Sequence, residues 1–100
     1  MFYLYILYSP SADKFYIGHT DDPFRRLDQH NNSPFNTFTS KYRPWEIVAL
    51  FQCGNTRSEA IVIEKIVKKN KSRKFIEKLI SGEKLFGEFA QLVRVPHMRD

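Results

Sequence analysis

The pattern of apolar and polar positions along this chain alternates strand-like and helix-like segments. Residues 2–8, Phe2-Tyr3-Leu4-Tyr5-Ile6-Leu7-Tyr8, are apolar and aromatic-rich, which suits a strand. Ser9-Pro10-Ser11-Ala12-Asp13 carries turn chemistry. Residues 14–20 then read as a second strand, so the pair predicts a β-hairpin. Residues 46–53, Glu46 to Cys53, form a near-continuous apolar run. That pattern predicts a third strand buried on both faces.

Helix signals separate these strands. Asp22 offers an N-cap oxygen, and Pro23 at the first helical position loses no needed N–H. Phe24 and Leu27 are spaced to anchor that helix on a sheet. Thr56-Arg57-Ser58-Glu59 is a capping box that opens a helix over about residues 57–69, with Ala60, Ile63 and Val67 on one stripe. Ser72 is placed to cap a further helix bearing Phe75, Ile76, Leu79 and Ile80, and Gly82 fits its C-terminal stop. Residues 31–45 read as a long polar loop, a length that is usually functional or mobile. In residues 83–100, Leu85, Phe86, Phe89, Leu92 and Val93 suit a short helix or a packed tail, and Pro96 ends regular structure. The expected class is α+β: a small three-stranded, antiparallel-rich sheet flanked by about three to four helices.

The chain has 100 residues, the usual size of one domain, and 42 % hydrophobic residues, enough for a folded core. Its 16 Lys+Arg against 11 Asp+Glu leave a net +5, and 15 % of residues are aromatic. A basic, aromatic-rich domain points to an anionic partner, nucleic acid first among them. One cysteine, Cys53, excludes an internal disulfide and reads as a buried thiol. One Cys and three scattered His exclude a zinc cluster. The apolar run at the N-terminus is far shorter than the ~20 residues that span a bilayer, and no basic segment precedes it. A cytoplasmic protein without membrane or secretion signals is the expectation.

Candidate chemistry concentrates on the hairpin and the helices after it. Tyr5 and Tyr16 would pack as core aromatics unless both hydroxyls reach one cleft, which cross-strand neighbours can do. Arg26 and His30 are four apart and share a helix face, whereas Arg25 points about 100° away. A guanidinium can grip a phosphate through two hydrogen bonds, and an imidazole can move a proton near neutrality. Glu64 borders the apolar stripe; it suits either a surface pair with Lys68 or a carboxylate holding Mg²⁺ or Mn²⁺. The 31–45 loop interleaves Phe35, Phe38, Tyr42 and Trp45 with Lys41 and Arg43, a mix that suits base stacking and phosphate contact or a loop pinned by its own aromatics. Lys65, Lys68, Lys69, Lys71, Arg73, Lys74 and Lys78 form a second basic region, either solvated or a phosphate track.

Over roughly residues 2–80 the chain resembles the GIY-YIG endonuclease domain, and in particular small stand-alone members related to the N-terminal nuclease module of the bacterial excision-repair nuclease. Tyr3-Leu4-Tyr5 stands in the place of the first motif, and Tyr16-Ile17-Gly18 matches the second. Arg26, His30 and Glu64 follow in the family's order. The resemblance implies hydrolysis of a DNA phosphodiester with one divalent ion, Mg²⁺ or Mn²⁺. Glu64 would hold the metal and Arg26 would stabilise charge on the phosphate. Tyr16, with His30, would activate or orient water, and Tyr5 would hydrogen-bond within the site. His19, Arg25, Lys41, Tyr42 and Arg43 are the expected nucleic-acid contacts, and a repair protein is an expected partner beside DNA. The chain departs from the family pattern at Tyr3, which replaces the Gly of the first motif, and at His19, where many members carry a basic residue. It shows no clear counterpart of the Asn that some members place after the Glu. The alternatives to an endonuclease are a nucleic-acid binding module with the same fold and little catalysis, and an adaptor acting through Phe86 and Phe89.

Overall fold

The computed structural model describes residues 1–82 and 92–95. Strands β1 (Phe2–Ser9) and β2 (Lys14–Thr20) form the expected hairpin, followed by α1 (Pro23–Asn32). A 3₁₀ turn (Thr39–Tyr42) precedes β3 (Glu46–Gly54), and α2 (Arg57–Lys69) and α3 (Arg73–Ser81) follow. A two-residue strand, β4 (Val93–Arg94), completes a four-stranded antiparallel sheet of order β2-β1-β3-β4. The α+β class and the three long strands are as expected from the sequence. The short edge strand is an addition, pairing Arg94 with Phe51 and Val93 with Gln52. Leu85, Phe86, Phe89 and Pro96, on which the tail and adaptor readings rest, lie outside the described residues.

The caps set the helix starts. Asp22 accepts from the Arg25 N–H, Thr56 and Glu59 close a reciprocal capping box, and Ser72 accepts from the Phe75 N–H. Gly82 adopts φ 78°, the left-handed C-terminal stop that a Cβ would disfavour. Helix α1 runs to Asn32, into the segment read as loop.

The sheet is covered on both faces. Alternate strand residues Leu4, Ile6, Ile17, Ala49, Phe51 and Cys53 pack with Ala60 and Val67 of α2 and Ile76 and Leu79 of α3. On the other face Tyr5, Leu7 and Leu50 pack with Trp45, and Tyr16, Leu27, Tyr42 and Ile47 border them. β3 therefore buries side chains on both faces, as its continuous apolar run requires. Cys53 is buried, and burial first pushes its thiol up to about 11. Leu92, just before β4, joins the first core.

The loop after α1 is folded back onto the domain. Asn31 Nδ2 donates to the Trp45 carbonyl at 2.9 Å, and the Trp45 N–H donates to Asn31 Oδ1 at 2.6 Å. The Trp45 indole N–H donates to the Thr39 carbonyl at 2.8 Å. The loop thus divides its aromatics. Trp45 is buried and Tyr42 half-buried, while Phe35 and Phe38 remain 74 % and 54 % exposed.

Candidate active site

Tyr5 and Tyr16 project from the same sheet face, because Tyr5 pairs with Gly18 and Tyr16 with Leu7 across the hairpin. Their rings stack with centroids 6.3 Å apart. Gly18 makes this possible: a Cβ there would sit 2.6 Å from Tyr5 Cζ and would overlap the phenol oxygen. The Tyr-Ile-Gly sequence therefore supplies one phenol and clears the space for the other.

Helix α1 lays Arg26 and His30 over these rings. The phenols of Tyr5 first, and then of Tyr16, hold the Arg26 guanidinium in its charged form. The Tyr5 hydroxyl lies 3.0 Å from His30 Nε2, and His30 Nδ1 lies 2.9 Å from Thr39 Oγ1. With the Arg26 charge beside the Tyr5 oxygen, the arrangement that satisfies both ring nitrogens has Tyr5 O–H donating to Nε2 and Nδ1–H donating to Thr39. Burial pushes the Tyr5 phenol up to about 12, so it keeps its proton. Burial first, and then the Arg26 and Arg43 charges, pull the His30 imidazole down to about 4. His30 is therefore neutral at pH 7, with both ring nitrogens engaged. Proton transfer by an imidazolium, expected from its ordinary range, does not fit this setting. Nothing in the sequence singles out Thr39; a hydroxyl in a polar loop gives no signal of a buried imidazole nine residues away.

Above this network lies an open cleft of about 390 Å³. Tyr16, Arg26, Gln29 and His30 line it, with Phe35, Phe38 and Thr39 on the loop side. Tyr5 lies beneath, only 2 % exposed, and reaches the cleft through Arg26 and His30. Gln29 Oε1 accepts from Arg26 Nη1 at 2.9 Å and steadies the guanidinium.

Glu64 stands on α2, which packs against β2 at the edge of the sheet. It is not among the residues lining the cleft. It is linked to it through Lys68, whose ammonium lies 3.1 Å from Glu64 Oε2 and 5.7 Å from the Tyr16 ring centroid. The i,i+4 pair of Glu64 with Lys68, one of the two readings of the sequence, is thus present. Glu64 Oε1 lies 2.7 Å from His19 Nδ1. Arg57 Nη1 donates to His19 Nε2 at 3.4 Å, so that nitrogen accepts and Nδ1–H donates to Glu64. The carboxylate is 20 % exposed.

No group of three or more His, Cys, Asp or Glu among the described residues could enclose a metal ion. A single carboxylate is nevertheless enough for an ion that retains most of its waters. Glu64 fits that role: its orientation is fixed by an imidazole N–H, as outer-shell donors fix metal-binding carboxylates. A cation, the Lys68 ammonium, already stands against its other oxygen.

The expected nucleic-acid contacts fall into different settings. Arg25 is exposed and pairs with Asp21 at 3.0 Å, and Lys41 is exposed on the 3₁₀ turn. Tyr42 packs at the edge of the second core, with Lys14 Nζ 5.0 Å from its ring centroid. Arg43 turns inward: Nε donates to the His30 carbonyl at 2.6 Å and Nη2 to the Ser33 carbonyl at 2.8 Å. His19 is half-buried and positions Glu64. The described helices include none long and apolar enough to cross a membrane.

The chain matches known proteins in the same region. The family model for the GIY-YIG catalytic domain matches residues 1–78. The structure-specific endonuclease subunit SLX1 of Meyerozyma guilliermondii is 42 % identical over 66 residues, which are 61 % of this chain and 22 % of that protein. The subunit of the same name from Debaryomyces hansenii is 39 % identical over 67 residues, 61 % of this chain and 19 % of its own. That of Kluyveromyces lactis is 33 % identical over 79 residues, 73 % of this chain and 27 % of its own. The chain thus spans about a fifth to a quarter of the length of these curated relatives. With most of its residues matched and the tyrosine, arginine and histidine side chains gathered at one cleft, the chain belongs to the GIY-YIG catalytic domain family.

Proposed function

We propose that this chain is an endonuclease domain that hydrolyses DNA phosphodiester bonds, selects its substrate by DNA structure, and serves repair or recombination. The observation that carries the reading is the Arg26 guanidinium lining the cleft beside Tyr16, hydrogen-bonded to Gln29 and kept charged by the neighbouring phenols. It is a fixed cation where a backbone phosphate would enter, and preorganised charge of this kind stabilises the transition state of phosphoryl transfer. Tyr16 is the cleft phenol that orients the attacking water. Buried Tyr5, neutral His30 and Thr39 position Arg26 and Tyr16. In the reaction the water oxygen bonds to phosphorus, the ester P–O bond breaks, and the water's proton ends on the leaving oxygen. Glu64 would hold a Mg²⁺ or Mn²⁺ ion, which supplies charge neutralisation on the phosphate and a more acidic water. Arg25 and Lys41 would contact the backbone outside the cleft. The relatives' designation as subunits supports a protein partner.

A second reading keeps the DNA contacts and drops catalysis. It is favoured by one observation: both Glu64 oxygens are engaged, by His19 and by Lys68. A cleavage assay on supercoiled, single-stranded and branched DNA with Mg²⁺ or Mn²⁺ separates the two. Cleavage of branched DNA by the wild type, lost in Arg26→Ala and Glu64→Ala, supports the endonuclease. Binding without cleavage on every substrate supports the second reading. Equal nicking by wild type and Glu64→Ala would remove Glu64 from the site.

A further inference from the structure

Lys68 makes a contact beyond its i,i+4 pair with Glu64, against the Tyr16 ring. It lies in the last turn of α2, where a lysine is expected to extend into water and interact with the helix C-terminus. Instead its ammonium is drawn between Glu64 Oε2 and the face of Tyr16. Because β2 is an edge strand, α2 can reach round it to the tyrosine face of the sheet. The two Glu64 oxygens are therefore not equivalent. Oε1 accepts from the His19 Nδ1–H, a contact that fixes the direction of the carboxylate. Oε2 faces a full positive charge at 3.1 Å. A divalent ion at Oε2 and an ammonium at the same oxygen would repel each other strongly at such separations.

We propose that Lys68 is a place-holding cation that competes with the divalent ion for Glu64 and couples metal binding to DNA binding; this rests on the reading that Glu64 is the metal ligand. The lysine stem is long and its side chain is 39 % exposed, so the ammonium can leave Oε2 without disturbing the helix. On its other side is Tyr16, which lines the cleft proposed to take the phosphate. A DNA phosphate at the cleft attracts the ammonium past the Tyr16 ring and frees Oε2. Phosphate binding then raises the affinity for the metal, and the metal raises the affinity for DNA by the same factor. Without DNA, Lys68 neutralises Glu64 and keeps the metal weakly held.

Mn²⁺ binding to the intact chain tests this without any turnover. Free Mn²⁺ is titrated by electron paramagnetic resonance in wild type, Lys68→Met, Lys68→Arg and Glu64→Gln, alone and with a short duplex whose backbone is phosphorothioate. Lys68→Met, which keeps the stem and removes the charge, is expected to bind Mn²⁺ about tenfold more tightly than wild type in the absence of DNA. Lys68→Arg is expected to bind no more tightly than wild type. The duplex is expected to tighten Mn²⁺ binding in both wild type and Lys68→Met, and clearly more in wild type. Equal Mn²⁺ affinity in wild type and Lys68→Met, or the same gain from DNA in both, overturns the proposal while leaving Glu64 as the ligand. Wild-type affinity in Glu64→Gln overturns the metal assignment itself, and the proposal with it.

Discussion

The Tyr5 phenol lies directly across Gly18, its partner on the neighbouring strand, and a Cβ at that glycine would sit 2.6 Å from Tyr5 Cζ. The glycine is required by this approach, not by its backbone angles. Gly18→Ala forces either the tyrosine off its rotamer or the hairpin apart. Overpacking of this kind costs about 1–3 kcal/mol, and the midpoint of urea unfolding should fall accordingly. The same variant displaces Tyr5 from His30 and Arg26, so DNA cleavage should fall more than the loss of folded protein explains. An unchanged midpoint would show that Tyr5 does not occupy this position.

Arg43 connects the end of α1 to the loop by donating to the His30 and Ser33 carbonyls. Two donors in a fixed fork reach two carbonyls that one ammonium cannot serve together. Arg43→Lys should therefore destabilise the domain by about 1–2 kcal/mol. Amide hydrogen exchange should report faster opening through residues 31–43. A variant that lost DNA affinity while exchange stayed unchanged would return Arg43 to the nucleic-acid surface.

These two relationships mark how far the sequence could be read. Helix starts are local chemistry, so Asp22-Pro23, the Thr56–Glu59 box and Ser72 located them to within a residue. The tyrosines, Arg26 and His30 were legible because a hairpin and one helix connect them over a short stretch of chain. Contacts at long separation left no local trace. His19 meets Glu64 across 45 residues, and β4 pairs with β3 from beyond α3. The inward turn of Arg43 was equally hidden, because a cation beside aromatics reads the same whether it faces phosphate or backbone carbonyls. The charge state of His30 could not be read either, since it depends on burial beneath a loop that the sequence presents as polar.

Thr39 holds the imidazole from the loop side through one hydroxyl. Thr39→Val conserves the shape and leaves a buried Nδ1–H without a partner. Such a group costs about 1–3 kcal/mol, and the loss should appear in the unfolding midpoint. The unpaired ring is also free to turn, or to change tautomer, which removes the acceptor for Tyr5. Cleavage should then fall while DNA binding holds, because Arg25 and Lys41 are untouched. Thr39→Ser keeps the hydroxyl and should restore both properties. Failure of Thr39→Ser to rescue would locate the effect in the packing of the methyl group instead.

The buried imidazole also fixes a pH dependence. His30 titrates near 6.5 when unfolded and at about 4 when folded, because burial and the Arg26 and Arg43 charges disfavour its cation. Between those values the unfolded chain binds more protons than the folded one, so the free energy of unfolding rises with pH. The contribution is complete above the unfolded value and is lost as pH falls through the window towards the folded value. Its upper size is about 3–4 kcal/mol, from the separation of the two values at about 1.4 kcal/mol for each pH unit. Asp13, held below its ordinary range first by Arg73 and then by Tyr8, acts at lower pH and does not mimic this. Urea midpoints across the window should slope upward in the wild type. In His30→Gln, which keeps a polar group and cannot titrate, the slope should flatten even though the protein is less stable throughout. The same slope in both proteins would mean that His30 keeps an ordinary imidazole titration in the folded state, and that the network beneath the cleft is open to water.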